Sequence, residues 1–133
     1  MDARGLSEKM LQAWKDRDWD AIRDVLHPDY VYTGPDGQRV AGIEAGLVAG
    51  WSSFAESFPD GDYEIQGVCV DRDTLVTEFR FTGTHTGDFE GIAPTGNKVE
   101  IEFCTLMRLR DDKVIAERDY LDTHGLLEQL GVV

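Results

Sequence analysis

Two hydrophobic rhythms run along the chain. Up to residue 58 the apolar positions mostly recur every three or four residues, and from residue 62 to residue 121 they alternate. Leu6, Met10, Ala13 and Trp14 form one stripe, with Ser7 near its start, and predict an amphipathic first helix of about three turns. Asp18 to Leu26 predicts a second, short helix, with Asp18 as N-cap and Trp19, Ile22 and Leu26 turned inward. His27-Pro28 ends it, because a proline carries no amide hydrogen for the helix ladder. Asp29 to Gly37 then reads as a short strand closed by a turn at Pro35-Asp36-Gly37. Tyr30 and Tyr32 share one face of it, and a hydroxyl there, Tyr32 before Tyr30, either points into a pocket as a donor or is satisfied in the core. Gly42 to Phe58 predicts a third helix with Ile43, Leu47, Trp51, Phe54 and Phe58 as its inner stripe. Gly46 and Gly50 lie four apart on another face and permit a close approach by a neighbouring element. Pro59-Asp60-Gly61 stops the helix.

Beyond that stop the period is two. Asp62 to Val70 predicts one strand, Asp71-Arg72-Asp73 a turn, and Thr74 to Gly87 a long strand. In the long strand Leu75, Thr77, Phe79 and Phe81 oppose Val76, Glu78, Arg80 and Thr82, and Gly83 and Gly87 allow a bend. A connection over residues 88–97 leads to the strand Lys98 to Arg110. Its apolar face carries Val99, Ile101, Phe103, Met107 and Leu109, with Thr105 among them; Glu100, Glu102, Arg108 and Arg110 take the other. After a turn at Asp111-Asp112, Lys113 to Leu121 forms a last strand and the chain ends in a short helix to Leu130. Helices first, then antiparallel strands, then a helix predict an α+β fold: a cone-shaped barrel in which a curved antiparallel sheet wraps over the N-terminal helices. Residues 1–133 form a single domain, and the hollow of the cone is the default binding site.

Composition narrows the partners. The formal net charge is −13 and the isoelectric point about 4.4. Such a surface does not suit a nucleic-acid backbone or an anionic membrane, because it offers no basic patch to release counterions. It suits solubility and a neutral or weakly charged ligand. No apolar run is long enough to span a bilayer, and the first ten residues lack an apolar leader core. Cys69 and Cys104 fall inside predicted strands and read as reduced packing residues of a cytoplasmic protein. His27, His85 and His124 are scattered, with no ligand-like spacing, so no metal is expected.

One feature of the last strand breaks the pattern. Alternation places Ile115, Glu117, Asp119 and Leu121 on one face and Val114, Ala116, Arg118 and Tyr120 on the other. If the first face continues that of Ile101, Phe103 and Thr105, two carboxyls sit under cover. Burial and like charge would then raise their pKa values, which suits proton transfer. If the face is an open rim, both are simply wet. His85, between two glycines, either donates into the pocket or bonds the loop backbone. Trp51, Phe79, Phe103 and Met107 either line a wall for a flat ligand or are ordinary core. Asp122, at the junction of strand and helix, reads as the cap of the last helix.

The run Gly83-Thr84-His85-Thr86-Gly87 and the ending Asp122-Thr123-His124-Gly125-Leu126-Leu127-Glu128-Gln129-Leu130-Gly131, set behind helices, resemble the SnoaL-like polyketide cyclases of the nuclear transport factor 2-like superfamily. The resemblance covers nearly the whole chain. It implies a cofactor-independent cyclase or isomerase that closes a ring by an intramolecular aldol step on a small hydrophobic or polycyclic carbonyl compound. It also implies a homodimer. The cyclases often carry a His-Trp-Asp run on the last strand, whose Asp is the acid/base. The matching positions are Glu117, Arg118 and Asp119, and Thr105 stands where a polar pocket residue is common. So the resemblance implies Asp119 as base, Glu117 and His85 as further catalytic candidates, and Tyr32, Trp51, Phe79, Phe103, Thr105 and Met107 around the substrate. A hydrolase or dehydratase on the same scaffold, and a non-catalytic ligand-binding module, stay open beside it.

Overall fold

The computed structural model describes residues 2–133. Helix α1 spans Ala3–Lys15 and buries Leu6, Ser7, Met10, Ala13 and Trp14. Its cap is Asp2, whose side chain accepts from the Arg4 amide, so the helix begins four residues before Ser7. Ser7 lies inside, hydrogen-bonded to Thr77 at 2.7 Å. Helix α2 spans Trp19–Val25 and is capped by Asp18, which accepts from Ala21 N. Strand β1, Leu26–Thr33, follows with no gap, so His27 and Pro28 open the strand. A five-residue turn returns the chain as the short strand β2, Arg39–Ala41.

The predicted third helix is present but is not uniform. Helix α3 covers Ile43–Leu47, a π-helical turn covers Val48–Ser52, and α4 covers Ser53–Ser57. A π turn takes one extra residue per turn and rotates the side chains beyond it. Here the wide turn contains Trp51, whose carbonyl accepts a hydrogen bond from the Trp14 indole at 3.2 Å.

Strands β3 (Asp62–Asp71), β4 (Thr74–Thr84), β5 (Lys98–Arg110) and β6 (Lys113–Leu121) form a meander, and α5 (Thr123–Leu130) closes the chain. The long strand stops at Thr84, short of Gly87; there the Thr86 and Gly87 amides donate to the Ser57 carbonyl, and a side chain at Gly87 would run into the Glu56 carbonyl. The sheet order is β2-β1-β6-β5-β4-β3. Four of its five pairings are antiparallel, but β1 and β6 run parallel. The expectation of a wholly antiparallel sheet fails at that one seam. The chain leaves β1, crosses by way of α3 and α4 to the far edge, and meanders back until β6 lies beside β1. A crossover of that length is what a parallel pair requires.

Between β5 and β6 the register confirms the expected facing. Phe103 lies opposite Leu121, Thr105 opposite Asp119 and Met107 opposite Glu117. A bulge between Arg108 and Leu109 leaves Ile115 as the extra residue. It switches the alternation. Val114, wholly buried, therefore pairs with Leu109 on the inner side, where Ile115 was expected. Two apolar clusters result, one around α1, α2 and β1 and one around α4, α5 and the inner faces of β4 and β5. Trp19 and Trp51 pack against both.

Candidate active site

The site is built on neighbouring strands. Glu117 and Asp119 project from β6 toward the helices. Glu117 is 4% exposed. Its Oε1 accepts from the Tyr30 hydroxyl at 2.8 Å and from the Trp51 indole at 3.1 Å. Its Oε2 takes no hydrogen bond from any described residue and is not sealed from the cavity. Asp119 is held symmetrically: Oδ2 accepts from the Tyr32 hydroxyl at 2.8 Å and Oδ1 from the Thr105 hydroxyl at 2.9 Å.

The glycines of α3 and the π turn make this possible. A Cβ at Gly46 would lie 2.5 Å from the Tyr30 ring, and one at Gly50 would lie 2.7 Å from the Tyr32 ring. Each glycine thus seats one tyrosine, and each tyrosine reaches one carboxyl. The close approach read from the sequence is to β1.

Electrostatics separate the two acids. Burial pushes the Asp119 carboxyl up to about 6, although its bonds from Tyr32 and Thr105 oppose the rise. Glu117 goes higher, well above the usual carboxylic range, first through burial and then through the charge of Asp119, against the opposing bonds from Tyr30 and Trp51. Two like charges this close in a low-dielectric interior do not both form readily. Of the two, Glu117 is the acid driven further toward the protonated form. Because Oε1 already accepts two hydrogen bonds, the Glu117 proton belongs on Oε2, which faces the cavity. The same surroundings raise the Tyr30 and Tyr32 hydroxyls, so both stay protonated donors.

The cavity has two chambers. The inner one, about 40 Å³, is bordered by Glu117, Asp119, Thr105, Trp51, Phe79 and Met107, among others. That is room for one or a few waters. The outer one, about 290 Å³, is bordered by Tyr32, Phe54, Phe89, Ile101 and Leu121, with Asp36 and Glu90 also on its wall. Gly50, Tyr63, Phe103 and Asp119 border both, so Asp119 stands at the neck. No lysine, arginine or histidine lines either chamber among the described residues. Arg118 lies on the outer face, over the Tyr120 ring at 4.9 Å. Among the described residues no group of three or more His, Cys, Asp or Glu is placed to hold a metal ion, and no helix is long and apolar enough to cross a membrane.

Of the residues singled out in the sequence, Glu117, Asp119, Thr105, Tyr32, Trp51, Phe79, Phe103 and Met107 all meet at this cavity. His85 does not. It is wholly buried beside Phe58 and Phe89, and its Nδ1 accepts from the Thr95 amide at 3.1 Å. Its own backbone N–H donates to the Asn97 carbonyl. The imidazole pins the 85–97 loop, the loop-bonding role, and its Nε2 has no partner among the described residues. Asp122 caps α5, accepting from Gly125 N at 2.9 Å. The sequence reading missed Tyr63 on β3, ranked Tyr30 behind Tyr32 as a pocket donor, and took Phe54 only as part of the inner stripe of the third helix. Alternation from Asp62 would have put Tyr63 on the face of Ile65, which pairs with Phe79.

Known proteins match this chain over most of its length. The SnoaL-like polyketide cyclase family model fits residues 5–130. The aklanonic acid methyl ester cyclase AcmA of Streptomyces galilaeus is 27% identical over 129 residues, covering 92% of this chain and 86% of AcmA. The nogalonic acid methyl ester cyclase of Streptomyces nogalater is 28% identical over 131 residues, covering 92% of each. Among solved structures, TsrD from Streptomyces laurentii superposes with a TM-score of 0.84 at 26% identity, over 98% of this chain and 95% of TsrD. AclR from Streptomyces galilaeus, a candidate hydroxylase, gives 0.84 at 27% over 98% of this chain and 85% of AclR. The same fold is shared with an NTF2-like protein from Burkholderia pseudomallei at 15% identity and a TM-score of 0.80, over 98% of each chain. A match over almost the full chain, on the same curved sheet and helices, settles the family: the chain belongs to the SnoaL-like polyketide cyclases.

Proposed function

We propose that this chain is a cofactor-independent cyclase that closes a ring in a polyketide-like carbonyl substrate by an intramolecular aldol step. The observation that carries this reading is the pair of unlike carboxyls at the cavity, Asp119 poised to ionise near neutrality and Glu117 kept neutral with a free oxygen. Asp119 takes the proton alpha to a carbonyl. Each of its oxygens accepts one hydrogen bond and keeps a second lone pair for the task. Glu117 donates from Oε2 to the enolate oxygen that forms. The carbanion adds to a second carbonyl, and the proton held on Asp119 passes to the new alkoxide. No proton is gained or lost overall. A neutral carboxylic acid serves as an enolate donor in ketosteroid isomerase too, the standard example of this device. Aromatic walls that carry carboxyls and no lining cation favour a neutral, flat substrate such as an ester over a free acid.

A hydrolase or dehydratase has one observation in its favour, the water-sized inner chamber beside both acids. Against an epoxide-hydrolase arrangement, the cavity lining has no arginine to pair with the acids. A homodimer, implied by the family, would use the outer sheet face, where Tyr120 is half exposed and Arg80 pairs with Glu100 and Glu102.

The test is turnover of aklanonic and nogalonic acid methyl esters, the relatives' substrates, with product ring count read by mass spectrometry and NMR. We expect kcat/KM to rise as pH passes about 6, where Asp119 ionises, and to fall at higher pH as Glu117 loses its proton. Asp119→Asn should lose about 10²–10⁴-fold. Wild-type turnover by Asp119→Asn, or product carrying an added water and no new ring, would refute the cyclase reading.

A further inference from the structure

Three tyrosines approach the two carboxyls, and two of their hydroxyls are committed. Tyr30 donates to Glu117 and Tyr32 to Asp119. Tyr63 has no such partner. It reaches the cavity from β3, on the opposite side of the sheet's curl from β1, and borders both chambers beside Asp119. Its ring is gripped by four others: Trp14 at 4.5 Å, Phe81 at 4.9 Å, Phe103 at 5.3 Å and Phe79 at 5.6 Å between centroids. That grip fixes where the hydroxyl lies without any hydrogen bond to hold it. Burial and the nearby acids, Asp119 foremost, keep the hydroxyl protonated. Tyr63 is half-buried, and a rigid, protonated donor without a protein partner at the neck of a cavity is free to bond what enters it.

Aldol closure has two oxygens to stabilise, the enolate oxygen and the oxygen of the carbonyl under attack. Glu117 provides for the first. We propose that Tyr63 is a catalytic residue that provides for the second, donating a hydrogen bond to the carbonyl oxygen as it becomes an alkoxide. The inference rests on the cyclase reading above. Its position suits the final proton transfer as well. Asp119 and Tyr63 both stand at the neck, so the alkoxide held by Tyr63 lies within reach of the proton that Asp119 carries. The balance is unchanged: one carbon–carbon bond forms, the carbonyl π bond breaks, and the proton taken from carbon ends on that oxygen.

Tyr63→Phe removes the hydroxyl and keeps the ring among its four neighbours. No hydrogen bond within the protein is lost, so the melting temperature should hold. With the ester turned over best in the assay above, kcat should fall about 10²–10³-fold while KM stays within about two-fold. A kcat within about three-fold of wild type would overturn the proposal. A binding measurement separates this inference from the assignment of Asp119. The anion of 2-naphthol presents an oxyanion on a flat ring, and its fluorescence reports binding. Asp119→Asn should tighten it by removing a like charge. In that background Tyr63→Phe should weaken it about tenfold, a loss of about 1.4 kcal/mol. Equal affinities with and without the Tyr63 hydroxyl would overturn the role of Tyr63 even if Asp119 proved to be the base. A tenfold loss would sustain it even if Asp119 proved not to be.

Discussion

Asp119→Asn should make the protein more stable at neutral pH while disabling it. The folded carboxyl titrates at about 6 against an ordinary 3.8, because its surroundings remove water faster than Tyr32 and Thr105 replace it. A raised folded pKa means that the native state holds its proton longer than the unfolded chain does. Stability from this group is therefore complete below about pH 4 and is lost as pH climbs through about 6. The shift of roughly two units corresponds to about 3 kcal/mol at most. Asparagine is isosteric, can accept from Thr105 and can donate to the Tyr32 oxygen, so it keeps both contacts and has no charge to desolvate. The acids remote from Asp119 are common to both proteins and cancel in the difference, whereas Glu117, which the Asp119 charge raises, is relieved in the variant and adds to its gain above pH 6. Urea unfolding of the two, followed by tryptophan fluorescence from pH 3.5 to pH 8, should show the variant gaining on wild type by about 2–3 kcal/mol across that range, most of it between pH 4 and pH 6. Against a total stability of about 5–15 kcal/mol that gain is easily read. A stability difference that stays flat with pH would mean that Asp119 is well solvated and that its role as a tuned base is wrong.

Glu117 gives the complementary contrast. Glu117→Gln keeps an acceptor for Tyr30 and Trp51 and presents an N–H where the neutral acid presents an O–H, so its melting temperature at pH 7 should equal or exceed that of wild type. Glu117→Ala strands both buried donors and should lose about 2–6 kcal/mol by urea unfolding, from roughly 1–3 kcal/mol for each orphaned group. Equal losses in the two variants would refute the neutral form. Gly50→Ala should displace the Tyr32 ring, which a Cβ would meet at 2.7 Å, and so free Asp119 Oδ2. We expect a loss of about 1–3 kcal/mol in stability, together with a higher kinetic pKa for kcat/KM, because the Tyr32 bond that holds the Asp119 carboxyl down is lost. An unperturbed melting temperature and pH profile would show that the tyrosine has room to yield.

Much of this was legible because the β period is unforgiving. Once Thr105 is fixed inward by Ile101, Phe103 and Met107, a partner strand has only two registers, and Leu121 chooses the one that buries Asp119. The same logic failed by one residue at Ile115, since a bulge leaves no mark in an alternation that is apolar on both faces there. The parallel seam between β1 and β6 was hidden for another reason. Strand direction is set by the route of the intervening chain, which periodicity does not encode. The π turn was invisible because a helical stripe of Leu47, Trp51 and Phe54 satisfies both the ordinary and the widened turn. His85 illustrates a fourth limit: Gly-Thr-His-Thr-Gly reads as chemistry by residue type, yet the side chain is occupied by the amide of Thr95, ten residues on.

The two acids differ in role because the elements around them differ in kind. A single strand presents Glu117 and Asp119 two residues apart, and nothing in β6 itself distinguishes them. The distinction comes from across the fold. Glu117 meets Tyr30 and Trp51, two donors converging on one oxygen, which leaves the other oxygen free to carry a proton toward the cavity. Asp119 meets Tyr32 and Thr105, one donor on each oxygen, an arrangement that steadies a carboxylate evenly and leaves no oxygen singled out for the proton. Trp51 reaches Glu117 from the π turn, and Gly46 and Gly50 let β1 close enough for its tyrosines to arrive. In the proposed mechanism the irregular helix thus helps to set the two acids apart, by bringing Trp51 to Glu117 alone. A variant that restores a regular helix through residues 48–52, by deletion of one residue there, should therefore change which carboxyl titrates first. Carboxyl pKa values read by NMR would decide it: if the deletion variant folds and both values stay where they were, the π turn is decoration and the asymmetry arises in β1 alone.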